Sequence, residues 1–389
     1  MPRQTIVSDD ALPSTGTPAF TTPLQRLERI LSEAIRAGAS DIHFEPMAQR
    51  FRVRLRIDGR LQEHGDVPLT ARDMLVSRVK VLANLDIAQK RLPQDGRMVW
   101  REAGEPVECR VSALPTLHGE KLVVRLLDGA KVPLSLEGLG YSPQQYLALT
   151  QAIARPHGLI LLTGPTGSGK TVSLYSCLRR LNDASRNIVT IEDPVEIRLP
   201  GITQVNLNER AGLDFATALR AFLRQDPDVL VVGEIRDAQT AEIAIQAAQT
   251  GHLVFATVHA NDAPSTLARL FDLGVAPFNL SSTLLLVSAQ RLLRRRCPAG
   301  CEPSGTTTAK DRADTCMRCH GTGFAGRIGA FQVMPISPTQ AINIAQARSP
   351  HELAAQARSE GVMTLRDAGL WHVDAGAVDQ EDVNATLPA

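Results

Sequence analysis

Eight consecutive residues, Gly164-Pro165-Thr166-Gly167-Ser168-Gly169-Lys170-Thr171, carry the spacing G-x-x-x-x-G-K-[ST]. They follow the apolar run Leu159–Thr163 and precede a helical pattern through Val172, Leu174 and Leu178. That context, strand then glycine loop then helix, lets backbone N–H groups converge on phosphate oxygens at the positive end of the helix. In such a loop Lys170 reaches the β- and γ-phosphates and the Thr171 hydroxyl ligates Mg²⁺. Acids then close two further apolar runs: Val189-Thr190-Ile191 leads into Glu192-Asp193-Pro194-Val195-Glu196, and Val229–Val232 leads into Gly233-Glu234. Acids at the carboxyl ends of parallel strands point into the crevice where nucleotides bind. There one can hold Mg²⁺, directly or through water, and another can polarise an attacking water. Each acid alone also fits a solvated strand end or a helix cap. His259 ends a third apolar run, Thr257-Val258-His259, within reach of a γ-phosphate, whereas His252 stands at the opposite end of the same run.

A second chemical constellation lies later. Cys297 and Cys301, then Cys316 and Cys319, give C-x₃-C followed by C-x₂-C. Four thiolates at these spacings close a tetrahedral zinc site with no open position, so the metal is expected to be structural. Zinc binding of about 10 kcal/mol can order a loop that has almost no core of its own. Cys109 and Cys177 stand alone in a strand-like and a helix-like segment.

The elements that must position these residues fall into two groups. Residues 1–22, rich in Ser, Thr, Pro and acids, read as a flexible leader. An amphipathic helix starts near Leu24, with Leu24, Leu27, Leu31, Ala34 and Ile35 on one face and Gly38 at its stop. Phe51, Val53, Leu55 and Ile57 then alternate with Arg50, Arg52, Arg54 and Arg56 as a strand with a solvated or subunit-facing arginine side, and Asp58-Gly59 marks a hairpin. A helix over about Ala71–Leu85 and strands at Val107–Ser112 and Lys121–Leu127 complete an α+β N-terminal domain, 23–130. Residues 131–143 read as a linker. From 144 to 389, apolar strands at Leu159–Thr163, Ile188–Ile191, Val229–Val232 and Leu253–Val258 alternate with helical stretches. That is the pattern of an α/β domain with a mainly parallel sheet, here with the cysteine module, 297–319, inserted late.

The 389-residue chain is 43% hydrophobic and 21% charged, as soluble globular proteins are. Its net charge of +1 gives no global attraction to nucleic acid or anionic membrane, and aromatics, at 4%, are too few for base stacking. No apolar run reaches the roughly 20 residues of a membrane span. The most apolar helical candidate, Leu280–Leu293, is broken by Ser281, Ser282, Ser288 and Gln290. The first residues lack the apolar core of a signal peptide. A cytoplasmic protein is expected, with any membrane association made through partners.

Over residues 24–375 the chain resembles the secretion and pilus ATPases of type II and type IV systems, the "protein E" type. The resemblance rests on ordered motifs: ASDIHFEP at 39–46, RLPQDGR at 91–97, GEKLVVRLLD at 119–128, GPTGSGKT at 164–171, TIEDPVE at 190–196, LRQDPDVLVVGEIRD at 223–237 and TGHLVFATVHANDA at 250–263. It implies a RecA-like ATPase domain preceded by an α+β, PAS-like domain. It also implies ATP with Mg²⁺, a homo-hexameric ring, an inner-membrane platform protein and a cytoplasmic adaptor as partners, and no nucleic acid. By motif position Glu196 is the expected general base, Glu234 the acid near Mg²⁺ and His259 the histidine-box residue. Arg110 and Arg125 match arginines that contact phosphate across a cleft between the domains, and Arg220 and Arg224 match arginines lining that cleft.

Two departures accompany the resemblance. The family's assembly-type members carry a cysteine module followed by a stretch like GTGFAGRIGAFQV at 321–333, but their first pair is usually C-x₂-C. Zinc is still expected here, with His320 a spare ligand, and because retraction-type relatives generally lack the module, assembly or secretion is favoured. Larger members also carry an additional adaptor-docking domain that this sequence, with its first helix near Leu24, is expected to lack. The competing readings are a nucleic-acid motor using the basic stretch Arg291–Arg296, a conjugation-type traffic ATPase, and a nucleotide-binding scaffold without turnover. The intact Lys170, Glu196 and Glu234 speak against the last.

Overall fold

The fold is that of a computed structural model, which describes residues 22–127, 134–301, 316, 318–319 and 321–388. The chain divides into two units, Met1–Asp128 and Gly129–Ala389. The leader read over 1–22 lies, apart from Thr22, outside the described residues. The first unit contains α1 (Pro23–Arg36), β1 (Asp41–Pro46), β2 (Phe51–Ile57), β3 (Arg60–Val67), α2 (Leu69–Leu82), β4 (Gln94–Glu102), β5 (Glu105–Thr116) and β6 (Gly119–Leu127). Thr22 and Gln25 form a reciprocal capping box that starts α1, a device worth about 0.5–2 kcal/mol. The strands pair antiparallel in the order β3-β2-β1-β6-β5-β4. Leu27 and Leu31 of α1 and Leu75 and Val79 of α2 pack with Ile42, Phe44, Val53, Val111 and Val124 of the strands. Asp58 and Gly59 both take positive φ at the β2–β3 turn, as the Asp-Gly pair predicts.

The second unit contains α3 (Pro143–Ile153), β7 (Gly158–Thr163), α4 (Lys170–Leu181), β8 (Ile188–Glu192), β9 (Thr203–Asn206), α5 (Phe215–Phe222), β10 (Val229–Val232), α6 (Ala238–Gln249) and β11 (Leu253–Val258). It continues through α7 (Ala263–Asp272), α8 (Pro277–Thr283), β12 (Leu284–Arg296), β13 (Phe324–Pro335), α9 (Pro338–Ala345), α10 (Pro350–Ser359), α11 (Leu365–Asp374) and α12 (Gln380–Thr386). Its sheet runs β13-β12-β7-β11-β10-β8-β9. All neighbours are parallel except β13, which is antiparallel to β12. Both faces are covered, which is why β7, β8, β10 and β11 read as unbroken apolar runs. Ile160, Leu162, Val231 and Phe255 pack with α3 and α4, while Leu159, Leu161, Leu230 and Val254 pack with α5, α6 and α7.

Two expectations are corrected. The stretch Leu280–Leu293 is not a helix: α8 ends at Thr283 and the rest is strand β12. An inner strand buried on both faces shows no alternation, so its apolar run mimics a buried helix. The expected linker 131–143, where described, belongs to the second unit, because Leu134, Leu136 and Tyr141 lie in its core and the Tyr141 ring stacks on Phe331 at 3.7 Å.

The face of the first unit's sheet opposite α1 and α2 is charged. Arg97, Arg110, Arg125, Asp41 and Arg56 form one row across five strands. Asp41, 5% exposed, accepts from Arg125 at 2.9 Å and lies 3.7 Å from Arg56. Four residues along the same strand, Glu45, 4% exposed, accepts from Arg54 at 2.8 Å, Arg52 at 3.0 Å and Lys121 at 3.1 Å. The alternating arginines of β2 are thus ordered by buried acids rather than left as a solvated row. Burial pushes the Glu45 carboxyl up, but its hydrogen bonds to Arg54 and Lys121 and their charges outweigh that and hold it at about 2. The unfolded chain therefore binds the proton first as pH falls. Stability that is complete above about pH 4.5 should drain away toward pH 2, on the order of 3 kcal/mol at most. Urea denaturation of the wild type and of Glu45→Gln across that window is expected to converge at low pH and to diverge above it. Parallel curves would contradict the assignment.

Candidate functional site

The glycine loop sits between β7 and α4. Gly164, Gly167 and Gly169 all have positive φ, and a side chain on Gly164 would collide with Ser168 Oγ at 2.6 Å and the Gln290 carbonyl at 2.7 Å. Glycine is therefore required there for close packing as well as for conformation. Gln290 of β12, 1% exposed, donates to the Ser168 carbonyl at 2.7 Å and so braces the loop from the neighbouring strand. Lys170 opens α4. Its Nζ donates to the carbonyls of Gly164 at 2.5 Å and Pro165 at 3.1 Å, and approaches His259 Nδ1 at 3.5 Å. Burial lowers the Lys170 ammonium to about 8, Glu234 opposes the shift, and Arg291 adds to it.

Parallel register places the next groups along the same edge. Thr163 at the end of β7 pairs with Val258 at the end of β11, and Val232 of β10 pairs with Ile191 of β8. The Thr163 hydroxyl donates to the Val258 carbonyl at 3.0 Å and accepts from the Ala260 N–H at 3.1 Å, which fixes the loop carrying His259. Arg291 donates to the Asn261 carbonyl at 2.9 Å, and Gln332 accepts from the Ala263 N–H at 2.9 Å, so that loop is held at three points. His259 Nε2 lies 3.3 Å from Glu234 Oε1. With Lys170 donating toward Nδ1, the ring proton belongs on Nε2, facing Glu234. Glu234 also accepts from both Nε (2.9 Å) and Nη2 (2.8 Å) of Arg236, whose Nη1 reaches Asp193 at 3.4 Å. A continuous chain, Lys170–His259–Glu234–Arg236–Asp193, therefore joins the ends of β7, β11, β10 and β8.

Lys170, Glu234 and His259 are thus brought together as the sequence suggests. The two glutamates of the acidic loop part company. Glu192, 5% exposed, is occupied by Tyr175, by Thr190 at 2.6 Å and by Gln204 at 3.2 Å, so it is unavailable as a metal ligand or base. Glu196 is exposed. Arg220, on α5, is exposed, and its carbonyl accepts from Arg224 at 2.8 Å. Arg110 and Arg125 face each other across β5 and β6 in the first unit. His252 is structural, its ring nitrogen 2.9 Å from the Ala247 carbonyl. Sequence reasoning missed Arg236, Arg291 and Gln290. Arg236, two residues beyond Glu234, was open to detection, because an odd cation among acids needs a partner.

The cysteines stand at the tip of the β12–β13 hairpin, closed by a bond from the Cys297 N–H to the Gly323 carbonyl at 2.8 Å. The four sulfurs lie within 4.8 Å of one another, and Cys297 and Cys316 are 3.8 Å apart. A tetrahedron with Zn–S bonds of about 2.3 Å has edges of about 3.8 Å. The donor set therefore fits a zinc ion. Backbone N–H groups of Arg318 and Cys319 pull the Cys316 thiol down to about 6, while its hydrogen bond to Cys316 pushes the Cys301 thiol up to about 12. His320 lies outside the described residues. Among the described residues, no helix is long and apolar enough to cross a membrane.

Residues 20–385 match the model of the type II/IV secretion system protein family, and the chain belongs to that family. It is 45% identical over 376 residues to a type IV pilus assembly ATPase, PilB, of Acinetobacter baylyi, covering 92% of this chain and 65% of that protein. It is 46% identical over 361 residues to the type II secretion system protein HxcR of Pseudomonas aeruginosa, covering 92% and 76%. The chain thus spans about two thirds to three quarters of the length of these relatives. Among solved structures, the pilus retraction motor PilT with bound ADP aligns with a TM-score of 0.62 at 27% identity, covering 92% of this chain and 95% of that one. The ATPase DotB of Legionella pneumophila shares the fold, with a TM-score of 0.70 at 21% identity over 95% and 97%.

Metal analysis of the purified chain is expected to give stoichiometric zinc, reduced to background in Cys316→Ser. A metal-free wild type, or full retention by the variant, would contradict the thiol-site assignment.

Proposed function

We propose that this member of the type II/IV secretion family is a motor ATPase, working as a homo-hexamer to drive pilin or pseudopilin assembly at the bacterial inner membrane. The observation that carries the reading is the chain of contacts from Lys170 through His259 to Glu234, set on the glycine loop's edge of the sheet. Its proposed partners are a polytopic platform protein and a cytoplasmic adaptor, with the protein lying peripherally on the cytoplasmic side. The near-neutral net charge is in keeping with partners other than nucleic acid.

In this reading the loop amides of 164–170 and the Lys170 ammonium bind the β- and γ-phosphates. Thr171 would hold Mg²⁺ and Glu234 would orient it, and the bound ion would supply neutralisation of phosphate charge. Glu196 takes a proton from water as its oxygen bonds to the γ-phosphorus and the bond to the β,γ-bridging oxygen breaks. His259 holds the γ-phosphate. Arg110, Arg125, Arg220 and Arg224 are proposed phosphate contacts that offset charge in the transition state, a role worth about 10³–10⁵ in rate in other NTPases. The four cysteines are proposed to hold zinc in a purely structural role.

Lys170→Ala should abolish turnover by removing phosphate binding. Glu196→Gln should cut it to a small residual rate while MgATP still binds, as followed by phosphate release and by nucleotide titration. Near-normal hydrolysis by either variant would contradict the site.

Lys170 carries a pH signature as well. Its ammonium is lowered to about 8 in the free protein, and phosphate favours the charged form, so binding above that pH takes up a proton. MgATP affinity should be constant below about pH 8 and weaken by up to about ten-fold per unit above it. A flat profile would contradict this.

A further inference from the structure

Tyr175 is wholly buried on α4, five residues beyond Lys170. Its hydroxyl donates to Glu192 at the end of β8 and accepts the N–H of Glu196 at 3.3 Å. The other oxygen of Glu192 is held by Thr190 at 2.6 Å and by Gln204 at 3.2 Å. Gln204, on β9, also donates to the Ile197 carbonyl at 3.0 Å and accepts from the Leu199 N–H at 2.7 Å. Asn206 accepts the Val195 N–H at 2.8 Å. The segment 195–199 is therefore tied along its main chain to a buried knot whose anchor is a residue of the glycine-loop helix.

An exposed carboxylate on a loop can act as a base only where its main chain is fixed, because displacement of a reacting group by about 1 Å can cost 10²-fold in rate. Loops have few main-chain bonds of their own, and buried donors must find acceptors. Tyr175 meets both needs at once. It satisfies the Glu196 N–H, and it makes that bond from the same rigid helix that carries Lys170 and Thr171. Glu192, with its oxygens occupied by neutral donors, holds the phenol in the rotamer that reaches Glu196.

We infer that Tyr175 and Glu192 are positioning residues for hydrolysis, fixing the main chain of Glu196 to the helix that binds phosphate. The inference rests on the reading of Glu196 as the base. Both are buried, with their polar atoms on protein partners, so both act through Glu196.

The test is a double-mutant cycle on the full chain, with kcat and KM for MgATP measured separately. Tyr175→Phe keeps the ring and removes only the hydroxyl. It should lower kcat by about 10- to 100-fold and leave KM within about two-fold. Added to Glu196→Gln, it should cause no further loss, because the base it positions is already gone. Glu192→Gln should show the same split of kcat from KM, and it stands in if Tyr175→Phe does not fold. Full kcat in both variants, or losses that multiply with Glu196→Gln, would overturn the positioning role while leaving Glu196 as the base. Full turnover in Glu196→Gln itself would overturn the underlying reading and this inference with it.

Discussion

The parallel register of β12, β7, β11, β10 and β8 is the constraint on which the site depends. Parallel strands exhaust their main-chain bonds on one another and deliver their carboxyl ends to a single edge. The residues that follow each strand, Gly164, His259, Gly233 with Glu234, and Asp193, are thus neighbours without being close in sequence. The buried leucines and valines beneath them, each worth about 1.5–3 kcal/mol on burial, hold that edge rigid. A charged assembly needs such a frame, since Lys170 and its partners gain little from one another unless their spacing is fixed.

Charge along the edge is arranged in alternation. The Lys170 ammonium, half-withdrawn from water, rests on carbonyls of its own loop. His259 stands between it and Glu234, and Arg236 binds Glu234 on the far side before reaching Asp193. Gln290 and Arg291, from β12, brace the glycine loop and the histidine loop respectively. The same strand ends at the cysteine cluster, so one continuous element runs from the glycine loop to the thiols.

Much of this was legible in the residues. The glycine loop is readable because its chemistry demands fixed types at fixed spacing. The four core strands are readable because two covered faces demand unbroken apolar runs. Other features depended on partners far away in sequence. Nothing in TIEDPVE separates Glu192 from Glu196 by itself. The distinction is made by Tyr175 on α4 and Gln204 on β9, which occupy the first and tie down the loop of the second. Strand β12 was hidden for a related reason, since burial on both of its faces erases the period that distinguishes strand from helix. In the first unit the alternation of β2 was plain, but the pairing of its arginines required Asp41 and Glu45 from β1, acids that also bind Arg125 and Lys121 from β6.

The most direct test of this account is the structure of the Glu196→Gln chain with MgATP bound. The account predicts the triphosphate on the amides of 164–170, with Lys170 Nζ moved from the Gly164 and Pro165 carbonyls to the β- and γ-phosphates. His259 should lie against the γ-phosphate, and the Tyr175–Glu192 knot should be intact. Nucleotide bound elsewhere, or bound with Lys170 still on its own loop carbonyls, would contradict it.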